Sequence, residues 1–152
     1  MKSVLFVCLG NICRSPLGEG ILRDKVNRKG LDLKIDSAGT ESLHVGESPD
    51  RRSTKTAREK GIDISKQVAR QIRISDFDEF DLILVADAQV YREVISMTRN
   101  ETDKKKVDFM MNMLKPGSNT AVPDPYYGGQ DGFEKVYDML NRACDSLLKN
   151  LK

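Results

Sequence analysis

The stretch Lys2-Ser3-Val4-Leu5-Phe6-Val7-Cys8-Leu9-Gly10-Asn11-Ile12-Cys13-Arg14-Ser15-Pro16 joins a strand-like apolar run to a helical pattern through a short loop. Lys2 to Val7 has the near-continuous apolar character of a strand buried on both faces. Beyond the loop, Leu17, Ile21, Leu22 and Val26 recur at the spacing of one helix face. Five residues separate Cys8 from Arg14. A loop that curls back over that span can aim backbone N–H groups, a guanidinium and a thiol at one tetrahedral anion. In open α/β sheets ligands bind outside the carboxyl ends of the strands, which is where this loop falls.

Each residue type in the loop has a chemical reason. A cysteine attacks as thiolate, and an unperturbed thiol with a pKa of about 8.5 is only a few per cent ionised at neutral pH. Inward-facing amides, the first turn of the following helix and Arg14 are the expected sources of positive potential for Cys8. Gly10, without a Cβ, can take a positive φ and let the backbone approach an anion, and Asn11 is also tolerant of left-handed geometry and carries an amide able to tie the loop to itself. Arg14 offers two parallel donors to two oxygens of a phosphate, which lysine cannot reproduce. Ser15 is placed to cap the helix and to reach the sulfur, and Pro16 suits a first helical turn. A bare C-x5-R match is weak, because most cysteines and arginines are small buried side chains and surface charges. The flanking strand and helix supply the missing specificity, and the loop implies a cysteine-dependent phosphatase.

Other cysteine chemistries fit poorly. Cys8 and Cys13 have four residues between them, which matches neither a C-x2-C redox centre nor half of a zinc site. His44 is the only histidine, so it is read as a loop residue, and no metal or other cofactor is expected. Neither G-x-x-x-x-G-K-[ST] nor G-x-G-x-x-G occurs. Cys13 either packs beneath the loop or traps an oxidised Cys8 as a disulfide, and Cys144, on an apolar helical stripe, is expected to be inert core.

A length of 152 residues suits a single domain, 1–152, and neither a signal peptide nor a transmembrane run is visible. Three cysteines without framework spacing fit a reducing compartment, so a cytoplasmic location is expected, and a monomer is the expected state. The net charge of +2 argues against nucleic-acid binding, and Lys104-Lys105-Lys106 is read as solvated surface. Strand-like runs recur at Val4 to Val7, Leu33 to Ile35, Leu82 to Ala86 and Val107 to Met110. Helices are expected over Arg51 to Lys60, through Val90, Val94, Ile95 and Thr98, and along the stripe from Phe133 to Leu151. That alternation predicts an α/β three-layer sandwich: a four-stranded parallel sheet flanked by helices on both faces, with the phosphate-binding loop after the first strand.

The long irregular stretch Lys115 to Gly132 contains Val122-Pro123-Asp124-Pro125-Tyr126-Tyr127-Gly128-Gly129. Asp-Pro is common turn chemistry. A phosphoester, however, needs an acid for its leaving oxygen and then a base for water, and one positioned carboxyl can serve both steps. Paired with the Cys8 loop, Asp124 is the candidate.

At this point the chain resembles the low-molecular-weight protein tyrosine phosphatases nearly end to end. The resemblance rests on Cys8 to Pro16, Ser37-Ala38-Gly39-Thr40, Ala69-Arg70-Gln71-Ile72, Asp76-Phe77 with Phe80-Asp81, and Asp124-Pro125-Tyr126-Tyr127. It implies Cys8 as nucleophile, Arg14 as phosphate clamp, Asp124 as general acid, and Asn11 and Ser15 as organisers of the loop. Leu9, Gly10, Asn11, Ile12, Cys13, Arg14 and Ser15 would bind phosphate, with Leu9, Leu43, Tyr126 and Tyr127 offering apolar surface to an aryl ester. Phosphotyrosine proteins would be the partners and inorganic phosphate the product. Three departures concern the rim and its surroundings: Leu43 stands where many members carry an aromatic residue, Gln67 replaces a family histidine, and the usual Met-Asp-x-x-Asn reads Ala86-Asp87-Ala88-Gln89-Val90. A protein arginine phosphatase is the alternative, although Ile12 stands where that branch tends to carry threonine. Arsenate reductase and a non-catalytic phosphate-binding module are more remote. The first needs further cysteines, of which none lies between Cys13 and Cys144, and the second has no use for Asp124.

Overall fold

The first strand, β1 (Ser3–Cys8), is wholly buried, and its side chains divide between two cores. Val4, Phe6 and Cys8 enter one, and Leu5 and Val7 the other, as the two-residue period of a strand requires. This explains the unbroken apolar run. The computed structural model describes residues 1–151, Tyr127 by its backbone alone. Strands β2 (Lys34–Gly39), β3 (Leu82–Val85) and β4 (Val107–Phe109) join β1 in a parallel sheet of order β2-β1-β3-β4. The chain leaves β1 for β2 on one side and crosses back to β3 on the other. The carboxyl end of β1 therefore lies at the switch point, where a crevice opens.

Helix α1 (Arg14–Lys29), α2 (Arg51–Glu59) and α6 (Gln130–Lys149) pack with one another, and α1 and α6 share a core with Val4, Phe6 and Leu84. The short α3 (Asp76–Glu79) and α4 (Ala88–Ser96) cover the opposite face, where Phe77, Phe80, Val90 and Val94 meet Leu5, Val7 and Ile83. A further short helix, α5 (Glu101–Lys105), leads into β4. Among the described residues no helix is long and apolar enough to cross a membrane.

The expected layers and sheet are present, with local corrections. The second strand extends well past Ile35 to Gly39, because Ser37 finds hydrogen-bond partners inside the protein. Met110 opens a 3-10 turn, Met110–Met113, instead of closing β4. Helices α3 and α5 are too short to show a period and were not anticipated. In α1 every residue from Arg14 to Leu22 is buried, not one stripe. Gly18 and Gly20 make this possible, since a Cβ at either would overlap the side chain of Phe6 or Ile64. The irregular stretch is shorter than expected: it holds a 3-10 turn, Pro125–Tyr127, and α6 begins at Gln130.

Candidate active site

The loop after β1 is held from behind by its neighbours. The carbonyls of Cys8, Leu9 and Ile12 accept from the amides of Thr40 (3.0 Å), Glu41 (2.9 Å) and Asp50 (2.8 Å). With the carbonyls drawn outward, the amides from Gly10 to Arg14 have no protein acceptor among the described residues. They form the cradle that an anion requires. The left-handed residue is Asn11 (φ 58°), while Gly10 has no positive φ. A Cβ at 10 would lie 3.0 Å from Cδ2 of His44, close enough that the ring would have to give way by a few tenths of an ångström. Gly39 is the stricter position: a Cβ would meet Leu9 O at 2.8 Å and Asn11 N at 3.0 Å, both backbone atoms of the loop.

A chain of hydrogen bonds ends on the Cys8 sulfur. Asn11 Nδ2 donates to Ser15 Oγ (2.8 Å) and to Ser37 Oγ (3.0 Å), and its Oδ1 accepts from Arg70 N (3.0 Å). Ser37 Oγ donates to Glu19 Oε1 at 2.6 Å, and Glu19 Oε2 accepts from Arg23 at 2.7 Å. These partners fix the direction of the chain. Ser15 Oγ accepts from Asn11, and its own proton has two acceptors, Cys8 Sγ at 2.9 Å and, at the longer distance of 3.5 Å, Ala38 O, while Ser15 N donates to the same sulfur at 3.5 Å. The Ser15 side chain thus supports the sulfur and makes no helix-capping bond, which corrects half of its expected role.

Arg14 is 3% exposed and held by two fixed acceptors, Asp87 Oδ2 (2.6 Å) and Val122 O (2.9 Å). Burial opposes its charge, but Cys8, Asp87 and Asp124 outweigh burial and push its pKa upward. Asp87 also accepts from Val90 N at 2.9 Å and so caps α4, which ties the guanidinium to a helix end.

Asp124 serves its turn and faces the cleft at once. Its Oδ1 accepts from Tyr126 N (3.0 Å), and its Oδ2 lies 3.8 Å from Arg14 Nη2. The segment is pinned at both ends. Val122 N donates to Ala86 O at 2.8 Å, and Arg52 donates to Tyr126 O (3.0 Å) and Gly128 O (3.2 Å) while lying over the rings of Tyr126 and Phe133.

Cys8, Leu9, Gly10, Ile12, Cys13, Arg14, Leu43, Asp124 and Tyr126 line one cleft of about 170 Å³, joined by Glu41 and His44. Asn11 and Ser15 are buried behind it. The Tyr127 side chain, expected at the rim, lies outside the described residues.

A sequence model described as low molecular weight phosphotyrosine protein phosphatase matches residues 3–152. The chain belongs to that family. A putative low molecular weight protein-tyrosine-phosphatase of Synechocystis is 47% identical over 150 residues, covering 97% of this chain and 95% of the relative. Among solved structures, a protein tyrosine phosphatase of Entamoeba histolytica with Hepes in its active site superposes with a TM-score of 0.91 at 37% identity, covering 98% and 96% of the two chains. An arginine phosphatase of Drosophila superposes with a TM-score of 0.90 at 31% identity, covering 98% and 96%. A cysteinyl-phosphate mechanism is general to this family.

Several residues of this low-molecular-weight phosphatase escaped the sequence reading. Asp87, Ser37, Glu19 and Arg52 act through partners distant in the chain. Only Asp87 left a local trace, as an acid just past a strand and just before a helix. His44 is more than a loop residue: its ring packs over Gly10, lies 6.4 Å from that of Tyr126, and places Nδ1 3.1 Å from Glu47 Oε1. Leu43, 75% exposed, contributes an aliphatic edge to the rim. The two spare cysteines differ in position. Cys13 lines the cleft wall, and burial, then Asp50 and Cys8, push its thiol up to about 12. Cys144 is buried in the core against the sheet, where burial likewise pushes it up to about 12.

Proposed function

We propose that this phosphatase hydrolyses phosphotyrosine in proteins, and small aryl phosphates, through a phosphate carried on Cys8, with residues 1–152 acting as one domain. The observation that carries the proposal is the convergence of Cys8 Sγ, the unpaired amides of Gly10 to Arg14 and Oδ2 of Asp124 on one cleft. Bound phosphate oxygens would take those amides and the Arg14 guanidinium, which Asp87 and Val122 already orient. The Cys8 thiolate attacks phosphorus, and the bond to the phenolic oxygen breaks as Asp124 gives that oxygen its proton. Asp124, now a carboxylate, takes a proton from water. The resulting attack on phosphorus releases inorganic phosphate and restores the thiolate.

Ile12, at 7% exposure, lines the cleft with a side chain that offers no hydroxyl to a phosphorylated guanidinium, while Leu9, Leu43 and Tyr126 suit an aromatic ring. This favours phosphotyrosine over phosphoarginine, although the fold is shared with an arginine phosphatase. A thiol relay of the arsenate reductase kind gains no support from Cys144, which is locked in the core. The test compares one preparation on matched phosphotyrosine and phosphoarginine peptides. The proposal expects a clear excess of kcat/KM for phosphotyrosine; a higher value for phosphoarginine would reverse the assignment.

A further inference from the structure

Helix α2 carries a cationic stripe that its own stability does not require. Arg51, Lys55 and Arg58 lie four and three residues apart, so they share one helix face, and all three are exposed. Among the described residues, none of the three makes an ion pair or side-chain hydrogen bond. Most other arginines of the chain do, including Arg14, Arg23, Arg28, Arg52, Arg70 and Arg99. Only Arg58, in the last turn, suits the helix dipole. Like charges three and four residues apart repel, and cations in a first turn oppose the helix dipole. The first turn of α2 nonetheless has no acid. The one acid of the helix, Glu59, pairs with none of the three, and Asp63, near Arg58, bonds Ser65. The nearest carboxylate at the other end, Asp50, is engaged by Arg52 at 3.1 Å.

The position of the stripe says what it would meet. Asp50, which caps α2, donates its amide to Ile12 O of the phosphate loop, and Arg52 anchors the Asp124 segment. The stripe therefore begins one residue from Arg52, which touches the cleft-lining Tyr126, and runs for about 10 Å along the helix at 1.5 Å per residue. An extended peptide covers that length in about three residues.

We infer that Arg51, Lys55 and Arg58 form a docking stripe for acidic residues that flank the phosphorylated residue of the protein substrate. The inference rests on the phosphotyrosine reading above. Charge complementarity and continuity with the catalytic cleft favour a peptide segment as the occupant. The stripe acts on encounter and binding, so it contributes to kcat/KM for acidic substrates and leaves phosphoryl transfer alone.

The test compares the protein with the variant Arg51→Gln, Lys55→Gln, Arg58→Gln, in which glutamine keeps helix propensity at exposed positions. Substrates are phenyl phosphate and three phosphotyrosine peptides: neutral, acidic on the amino side, and acidic on the carboxyl side. The unmodified protein should prefer one acidic peptide, and the variant should lose about 5- to 50-fold in kcat/KM on that peptide at low salt, from three exposed charge pairs. The preference should fade toward 1 M salt, where the screening length is about 3 Å. Phenyl phosphate and the neutral peptide should be unchanged. Equal kcat/KM on acidic and neutral peptides, or a preference that survives in the variant, would overturn the inference alone. Turnover of phenyl phosphate but of no phosphotyrosine peptide would overturn the phosphotyrosine reading and the inference with it. Stripe-dependent binding to phosphatidylserine vesicles without any peptide preference would assign the stripe to a membrane surface instead.

Discussion

Replacing Asp124 by Asn should separate leaving-group chemistry from phosphate binding. In the structure Oδ1 accepts from Tyr126 N, and an asparagine carbonyl can keep that bond, so the turn should survive. The other oxygen lies 3.8 Å from the Arg14 guanidinium with the aspartate side chain 32% exposed, an interaction worth at most about 1 kcal/mol. Arg14 retains its shorter bonds to Asp87 and Val122. Binding of an inert oxyanion such as sulfate should therefore change by less than about fivefold. What asparagine cannot do is supply a proton. General acid catalysis typically contributes about 10² to 10⁴ in rate, equivalent to about 3 to 5.5 kcal/mol. The full loss should appear for phenols of high pKa and shrink for activated aryl phosphates, whose leaving oxygens need less help. The assay is a series of phenyl phosphates of rising phenol pKa, with the burst of phenol recorded separately from phosphate release. A variant-to-parent ratio in the burst rate that does not depend on the phenol would leave Asp124 as a turn residue and require another acid.

Ser15→Ala removes the hydroxyl that donates to Cys8 and leaves Asn11 Nδ2 without one acceptor. A hydrogen bond to a charged group contributes about 1.5 to 3 kcal/mol, so kcat/KM should fall about 10- to 160-fold, while binding of an inert oxyanion such as sulfate changes little. An equal loss in sulfate binding would argue against support of the sulfur. Cys13 should capture peroxide-oxidised Cys8 as a thiol-reversible disulfide. Because the Cys13 thiol is pushed up to about 12, its thiolate fraction and the capture rate should rise about tenfold per pH unit between pH 6 and 9. Timed alkylation and peptide mapping would test this; sulfinic or sulfonic Cys8 alone, with no disulfide, would refute it. Leu43→Trp should add a ring contact worth about 0.5 to 1.5 kcal/mol, raising kcat/KM for aryl but not alkyl phosphates by about 2- to 13-fold. Equal gains on both classes would rule out the ring contact.

The residues legible in the sequence were those whose reasons are local. The Cys8 to Pro16 loop declares itself because strand, turn and helix are consecutive, and Asp124 because two prolines fix it. The supports were illegible because their partners meet only in the fold. Ser37 is a polar residue in a buried strand, and nothing nearby in sequence says that Asn11 and Glu19 complete it. Arg52 looks like one of several basic residues on α2 until the Tyr126 and Gly128 carbonyls are seen against it. The sequence offered two residues for the positive φ, Gly10 and Asn11, and with the carbonyls of Leu9 and Ile12 held outward the reversal falls at Asn11. Conversely, the burial of α1 around Gly18 and Gly20 inverts the usual signal, since glycines that weaken a helix stripe mark close contact here.

The chemistry stands or falls on where the phosphate goes during turnover. The direct measurement is peptide mapping of Asp124→Asn enzyme, in which hydrolysis of the intermediate is also slowed, after acid quenching during turnover of a phosphotyrosine peptide. Phosphate on the peptide containing Cys8, absent when Cys8 is replaced by serine, is the expected result. Phosphate on any other residue, or rapid phosphate release by Cys8→Ser enzyme, would contradict the assignment of Cys8 as nucleophile.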